Sequence, residues 1–162
     1  REGGGPAGRL ALGEEMTARV QATMPRPQPL PGRDSAFFWA GAEREELMGQ
    51  RCASCKLFRH PPRPMCPECN STQREEVRLS GRGTVHAFIH PVHPMIPMFD
   101  YPLTCVLVDL EEGIRIFSNL YGCEKEDVRI GMPVEVFFVP TAGDKKVPVF
   151  RPAKDPEGGS PR

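Results

Sequence analysis

Four cysteines arranged as two pairs limit this chain more than any other feature. Cys52-x-x-Cys55 and Cys66-x-x-Cys69 are separated by ten residues. Each pair places two thiols on one tight turn, and the ten residues between them are expected to form a hairpin that brings the turns together. Four soft thiolates favour a closed tetrahedral site, which is structural rather than catalytic, and zinc is the expected ion. Iron in an electron-carrier site would use the same spacing, so spacing alone does not separate the two metals. The paired spacing points to metal in a reducing cytoplasm rather than to secreted disulfides. The remaining cysteines read differently. Cys105 lies in an apolar stretch, where burial is the expected role, and Cys123 follows Gly122 in a loop with no evident partner.

A staple of this kind suits the rest of the composition. Nineteen prolines and sixteen glycines in 162 residues keep helices short and the core small and turn-rich, which is where a metal contributes most to stability. Lysine plus arginine balances aspartate plus glutamate at a formal net charge of zero. Four thiolates around a divalent ion make the folded protein slightly acidic, which argues against a nucleic-acid partner. No apolar run approaches 18 residues, so no transmembrane helix is expected, no membrane partner is expected either, and no signal peptide is visible. The first residue is Arg1, not Met, and residues 1–8 read as a linker. The expectation is a fragment or processed product with an upstream part.

Four segments are expected. Residues 1–33 are a linker and spacer, with a short helix over Leu10 to Met24 and a polyproline-type stretch at 25–32, which would span roughly 25 Å and hold two bodies apart. Residues 34–76 carry a helix and the metal ribbon. Asp34 and Ser35 are N-cap candidates for a helix starting at Ala36. Residues 77–152 form five short strands: 77–90 with a bulge at Ser80-Gly81-Arg82-Gly83, 103–110, 114–120, 134–139 and 147–150. Gly113 closes the hairpin between the second and third, and a helical turn at 124–128 joins the third to the fourth. Five strands in that order match an OB-type barrel. Residues 153–162 are a disordered tail. The fold class is therefore mainly β, with an N-terminal helix and a four-cysteine zinc ribbon followed by a five-stranded OB-fold barrel.

No catalytic constellation is found. The chain lacks a P-loop, Gly-x-Ser-x-Gly, His-Glu-x-x-His and a dinucleotide fingerprint. His90 and His93 are a candidate second metal pair, but the prolines around them favour a solvated loop. His60 and His86 have no base or nucleophile beside them in sequence. Hence no catalytic residue is assigned.

Several stretches resemble one family. They are Phe38-Trp39, Arg51-Cys52-Ala53-Ser54-Cys55, His60 to Cys69, Ser80-Gly81-Arg82-Gly83-Thr84-Val85, Val108 to Gly113, Ile130 to Val134 and Val147 to Pro152. Over residues 34–153 the chain resembles the rubredoxin-like zinc-ribbon plus acyl-CoA-associated OB-fold family. Within it, the chain looks like the C-terminal part of the large subunit of bacterial steroid side-chain MaoC-like enoyl-CoA hydratases. The resemblance implies a non-catalytic accessory domain that binds a thiolase-fold acyl-CoA enzyme. In the narrower group that enzyme is the aldolase that cleaves a hydrated steroid side chain by a retro-aldol step. It further implies an upstream MaoC-like hydratase domain, indirect contact with acyl-CoA, and two copies of this domain on one partner dimer. Phe37, Phe38 and Trp39 are either core or candidate partner contacts, and Arg63 and Arg82 are either plain surface charges, Arg82 on a bulge, or candidates for meeting a CoA phosphate. Two other functions use the same parts. A single-stranded nucleic-acid binder would need a basic groove with stacking aromatics, and a rubredoxin-like electron carrier would be visibly coloured.

Overall fold

The computed structural model describes residues 19–153. The linker over 1–18 and the tail over 154–162 lie outside that range, as does most of the helix expected over 10–24. Its described part is not helical. Val20 instead makes an antiparallel bridge to Tyr101.

Helix α1 spans Ala36–Glu43 and starts where the N-cap candidates place it. Ser35 occupies the cap position without a side-chain cap bond. Its Oγ instead accepts the Gly32 amide at 3.0 Å, closing the turn before the helix. Phe38 and Ala42 are buried, and Phe37 and Trp39 are half-buried against the same core.

Two sheets follow. The first is three-stranded, in the order β2-β1-β3, with β1 at Met48–Cys52, β2 at Phe58–Arg59 and β3 at Arg74–Arg78. All its pairings are antiparallel. The first cysteine pair forms the turn between β1 and β2, and the second lies between β2 and β3. The ten residues between the pairs thus supply one two-residue strand rather than a hairpin of their own.

The second sheet is five-stranded, in the order β6-β5-β4-β7-β8. Its strands are β4 Arg82–Ile89, β5 Cys105–Leu110, β6 Arg115–Asn119, β7 Pro133–Pro140 and β8 Lys146–Pro152. A 3-10 turn at Lys125–Asp127 joins β6 to β7. The sheet curls until its edge strands meet: Leu120 makes a parallel bridge to Phe150, and the Tyr121 amide donates to the Phe150 carbonyl at 2.9 Å. Val85, Val106, Val108, Val134, Val149 and Phe150 fill the interior at 1% exposure or less. Alternation sends Val106 and Val108 inward together, whereas β8 buries three consecutive residues, Pro148 to Phe150.

The stretch expected as one bulged strand over 77–90 is two strands in two sheets. Val77 pairs with Gly49 in the first sheet, and Gly83 pairs with Leu110 and Val134 in the second. Ser80-Gly81 is the crossing between them, and the real bulge lies between Val85 and Ala87. Gly113 has a φ of 77° and closes the β5–β6 turn as expected.

The proline-rich stretch does not stand free. The Ala142 amide donates to the Arg26 carbonyl at 2.7 Å, and the Thr23 and Met24 amides donate to Pro97. Arg26 itself donates to Asn119 Oδ1 at 3.0 Å and to the Tyr121 hydroxyl. Its guanidinium sits 4.7 Å from the Phe99 ring centroid. Residues 20–28 are therefore a strap laid on the barrel. Arg26→Ala is expected to speed hydrogen exchange and proteolysis across 19–28 while the barrel's melting temperature moves little. Unchanged protection of the strap would contradict this account.

Candidate functional site

The two cysteine turns are built alike. In the first, the Lys56 amide donates to the Cys52 carbonyl at 3.0 Å, and in the second the Asn70 amide donates to the Cys66 carbonyl at 2.9 Å. Both closing residues are left-handed, Lys56 at φ 63° and Asn70 at φ 57°. Ser54 Oγ and Ser71 Oγ bond at 3.0 Å and tie one turn to the other. Cys52 and Cys66 are buried, and Cys55 and Cys69 are exposed.

The four sulfurs lie within 4.8 Å of one another. The closest pairs, Cys52–Cys69 and Cys55–Cys66, are at 3.6 Å. That is far beyond a disulfide at about 2.05 Å. It is close to the edge of about 3.8 Å expected of a tetrahedron with metal–sulfur bonds near 2.3 Å. Donor chemistry and geometry both fit a closed metal site. The electrostatics point the same way. Backbone hydrogen bonds, first from Cys55, bring the Cys52 thiol down to about 6, against the opposing effect of desolvation. Amides of Cys69 and Glu68 lower Cys66 similarly. At Cys55 a backbone bond from Leu57 also pulls down, but desolvation and three neighbouring thiols push it up to about 12. Four thiolates so close repel, and only a central cation lets all of them ionise. Among the described residues no other group of three or more His, Cys, Asp or Glu side chains has metal-ligand geometry.

The histidines are placed separately. His90 Nδ1 lies 3.1 Å from Thr104 Oγ1, and no metal group contains His90 or His93. His60 packs against Phe38 with ring centroids 5.7 Å apart, and burial lowers its pKa. His86 belongs to a trio not anticipated from the sequence. Its Nδ1 lies 2.9 Å from Asp109 Oδ2, and Arg115 bonds Asp109 at 2.5 Å and 3.2 Å. Arg115 first, and His86 less, hold the Asp109 carboxyl below its usual range. No hydroxyl or thiol is bonded to His86 among the described residues, so the trio has no nucleophile to activate.

Two further features flank the ribbon. Gln50 is fully buried. Its amide group donates to the Arg63 carbonyl at 2.9 Å and accepts the Arg63 amide at 2.8 Å. That fixes the backbone of one predicted CoA candidate. The other, Arg82, is exposed and pairs with Glu111 at 3.3 Å. A cavity of about 680 Å³ lies between the helix, the ribbon and the 91–99 loop, and Phe38, Trp39, Ile96, Phe99 and Phe117 line it. Val92, Met95, Ile96 and Phe117 are exposed to between 41% and 65%. Of the three aromatics expected to contact a partner, Phe38 is only 7% exposed, so its ring belongs to the core, and Trp39 lines the cavity wall. The outward apolar residues lie elsewhere, and strand alternation at Phe117 was the available signal for one of them.

Comparison with known proteins places this arrangement. The family model described as "ChsH2, rubredoxin-like zinc ribbon domain" matches residues 39–74, and "ChsH2, C-terminal OB-fold domain" matches residues 76–139. The chain is 42% identical over 128 residues to the probable enoyl-CoA hydratase alpha subunit of Thermomonospora curvata, covering 79% of this chain and 40% of that protein. It is 41% identical over 112 residues to the 3-oxo-4,17-pregnadiene-20-carboxyl-CoA hydratase alpha subunit of Mycobacterium tuberculosis, covering 69% and 36%. The chain thus spans about two-fifths of the length of these relatives. A solved structure described as an Ltp2-ChsH2(DUF35) aldolase superposes with a TM-score of 0.74 at 41% identity, over 77% of this chain and 98% of that one.

Proposed function

This chain belongs to the DUF35 family of ChsH2-type zinc-ribbon and OB-fold proteins, and on that premise we propose that it is a non-catalytic accessory module of a thiolase-fold acyl-CoA enzyme. The observation that carries the reading is the match to a chain of an aldolase complex along nearly that chain's whole length. The partner in this reading is the aldolase that cleaves a steroid side chain by retro-aldol reaction of a hydroxyacyl-CoA. The steroid assignment draws support from the relative named for a pregnadiene carboxyl-CoA.

Four residues, Cys52, Cys55, Cys66 and Cys69, hold zinc in this proposal. The ion stiffens the ribbon and supplies no chemistry to a substrate, because four protein ligands leave no open position. A ribbon already ordered loses less entropy on docking. The apolar rim of Ile96 and Phe117 beside Trp39 supplies contact area of the kind that marks protein interfaces. Trp39 joins it at the edge, Phe37 lies under the Arg74 guanidinium, and Arg63 and Arg82 are the candidates for a CoA phosphate passing from one active site to another. A MaoC-like hydratase domain in the same chain would raise the effective concentration of its product at the aldolase. Two copies of the module on one partner dimer follow from twofold symmetry, with a cytoplasmic setting consistent with free thiols.

The test is co-expression with the steroid side-chain aldolase, followed by size-exclusion chromatography and a retro-aldol assay. Co-elution at equal stoichiometry is expected, with an interface above roughly 1,000 Å², and aldolase activity that falls when the module is omitted. Separate elution, with full aldolase activity in its absence, would refute the proposal. Co-elution with a different thiolase-fold enzyme would keep the accessory role and discard the steroid substrate.

A further inference from the structure

We propose that the cleft between the zinc ribbon and the β5–β6 turn is a binding site for a phosphate-class oxyanion, centred on Arg59 and Arg63. The cleft has a volume of about 290 Å³, and its walls include Arg59, His60, Arg63, Ile114 and Arg115. Three arginines and a histidine line it, and no carboxylate does. In a chain of zero formal charge, that is a local concentration of one sign.

The three arginines differ in what already satisfies them. Arg115 is held by Asp109 through two hydrogen bonds. Arg63 makes no ion pair among the described residues, yet its backbone is fixed by the two bonds to buried Gln50. Its side chain therefore starts from a rigid base three residues before Cys66. Arg59 is the decisive case. It is only 5% exposed, and all three guanidinium nitrogens are buried without a hydrogen-bond partner. A buried charge with no partner costs several kcal/mol and is rare unless something else supplies the partner.

Glu112 is the other side chain in this condition, with Oε2 buried and unpaired. Its Oε1 accepts the Ser80 amide at 2.6 Å, while neither its Oε2 nor the Arg59 guanidinium has a hydrogen-bond partner among the described residues. Arg59 thus contributes to the wall of the cleft while its three donors sit buried and unpartnered, and the same wall holds Arg63, which makes no ion pair among the described residues. An oxyanion entering the cleft would draw the Arg59 fork a short way inward and be met from the rim by Arg63. Two planar forks match the tetrahedral oxygens of a phosphate better than a single carboxylate. The inference stands on the cleft and needs nothing from the partner reading. The identity of the phosphate's carrier alone rests on the acyl-CoA reading.

Isothermal titration calorimetry at constant ionic strength tests it on the zinc-loaded chain. Two probes are used: orthophosphate, and adenosine 3′,5′-diphosphate, the nucleotide part of coenzyme A. Saturable binding of orthophosphate is expected. Arg59→Met and Arg63→Ala should each weaken it by about tenfold or more, the loss expected of a charge-assisted bond. Arg63 is exposed, so its variant keeps the fold if Arg59→Met does not, and metal content reports on both. Tighter binding of the nucleotide assigns the phosphate to a CoA-type ligand, and equal binding assigns it to free phosphate. Absence of saturable binding would overturn the site, as would binding unaffected by both substitutions. So would binding seen only in Glu112→Gln, because Glu112 would then be the internal partner of Arg59.

Discussion

Cys66→Ser is expected to abolish metal binding and leave residues 48–78 without stable structure, while the barrel strands stay folded. The ribbon has little else to hold it. Its strands are five, two and five residues long, and β3 reads Arg-Glu-Glu-Val-Arg, with no buried residue of its own. The buried apolar residues in and beside it are Cys52 and Cys66 themselves, with Leu47 and Leu79 at the two exits and Phe38 of α1 in the same core. Two leucines contribute about 2–3 kcal/mol each, whereas structural zinc in small modules contributes about 10–16 kcal/mol of apparent binding energy, and that energy is folding energy. Losing one of four thiolates removes most of it. Elemental analysis should find about one zinc per chain in the parent and none in the variant. Hydrogen exchange should show protection lost over 48–78 and retained over 105–119 and 133–152. Cys55→Ser should behave the same way although Cys55 is exposed, because the ligand and not the burial matters. Cys105→Ser is the control: Cys105 is buried and outside the cluster, so its variant should keep the metal. A protected ribbon in metal-free Cys66→Ser would refute the account, and stoichiometric iron in the parent would replace zinc with iron.

The metal turns were legible because their information is local: two thiols three apart, with the fold needed only to bring two such turns together. The barrel was legible for a similar reason. Val106 and Val108 alternate with partly exposed neighbours, and Gly113 marks the turn that follows. What failed to show was pairing at a distance. A proline-rich stretch is extended whether bound or free, so nothing near Arg26 announces Asn119 or Tyr121, more than ninety positions away. The division of 77–90 was hidden because both halves have strand composition, and only their partners, Gly49 on one side and Leu110 on the other, assign them to different sheets. Buried Gln50 and Arg59 are polar side chains in short strands. Propensity places both on a surface, and only the packing of ribbon against barrel puts them inside.

Gly83→Val is expected to destabilise the barrel by about 3 kcal/mol or more, near the upper end of overpacking costs, although the sequence around it reads as a flexible, solvated turn. In the fold, Ser80-Gly81-Arg82-Gly83 is where the chain passes from one sheet to the other, and Gly83 pairs on both sides, with Leu110 in β5 and Val134 in β7. A Cβ added there would stand 2.3 Å from the Asp109 carbonyl oxygen and 2.9 Å from Val108 Cγ1. The first of these is backbone, and it cannot turn aside as a flexible side chain would. Relief requires β4 and β5 to separate at the register that seats Val85 and Val108, both at 1% exposure or less. Gly81 differs in kind. It has a φ of 73°, and a Cβ would meet the Val136 side chain at 2.3 Å, so conformation and contact both count against substitution. Arg82, between them, is exposed and ion-paired only at the surface, where such a pair contributes little. The three positions should therefore separate sharply in chemical denaturation. Gly83→Val and Gly81→Val should lower the midpoint markedly, and Arg82→Ala should barely move it. The two glycines then serve the crossing, and a role for Arg82 in ligand binding would have to appear as lost affinity without lost stability. A Gly83→Val protein as stable as the parent would show that the strands have room the geometry denies.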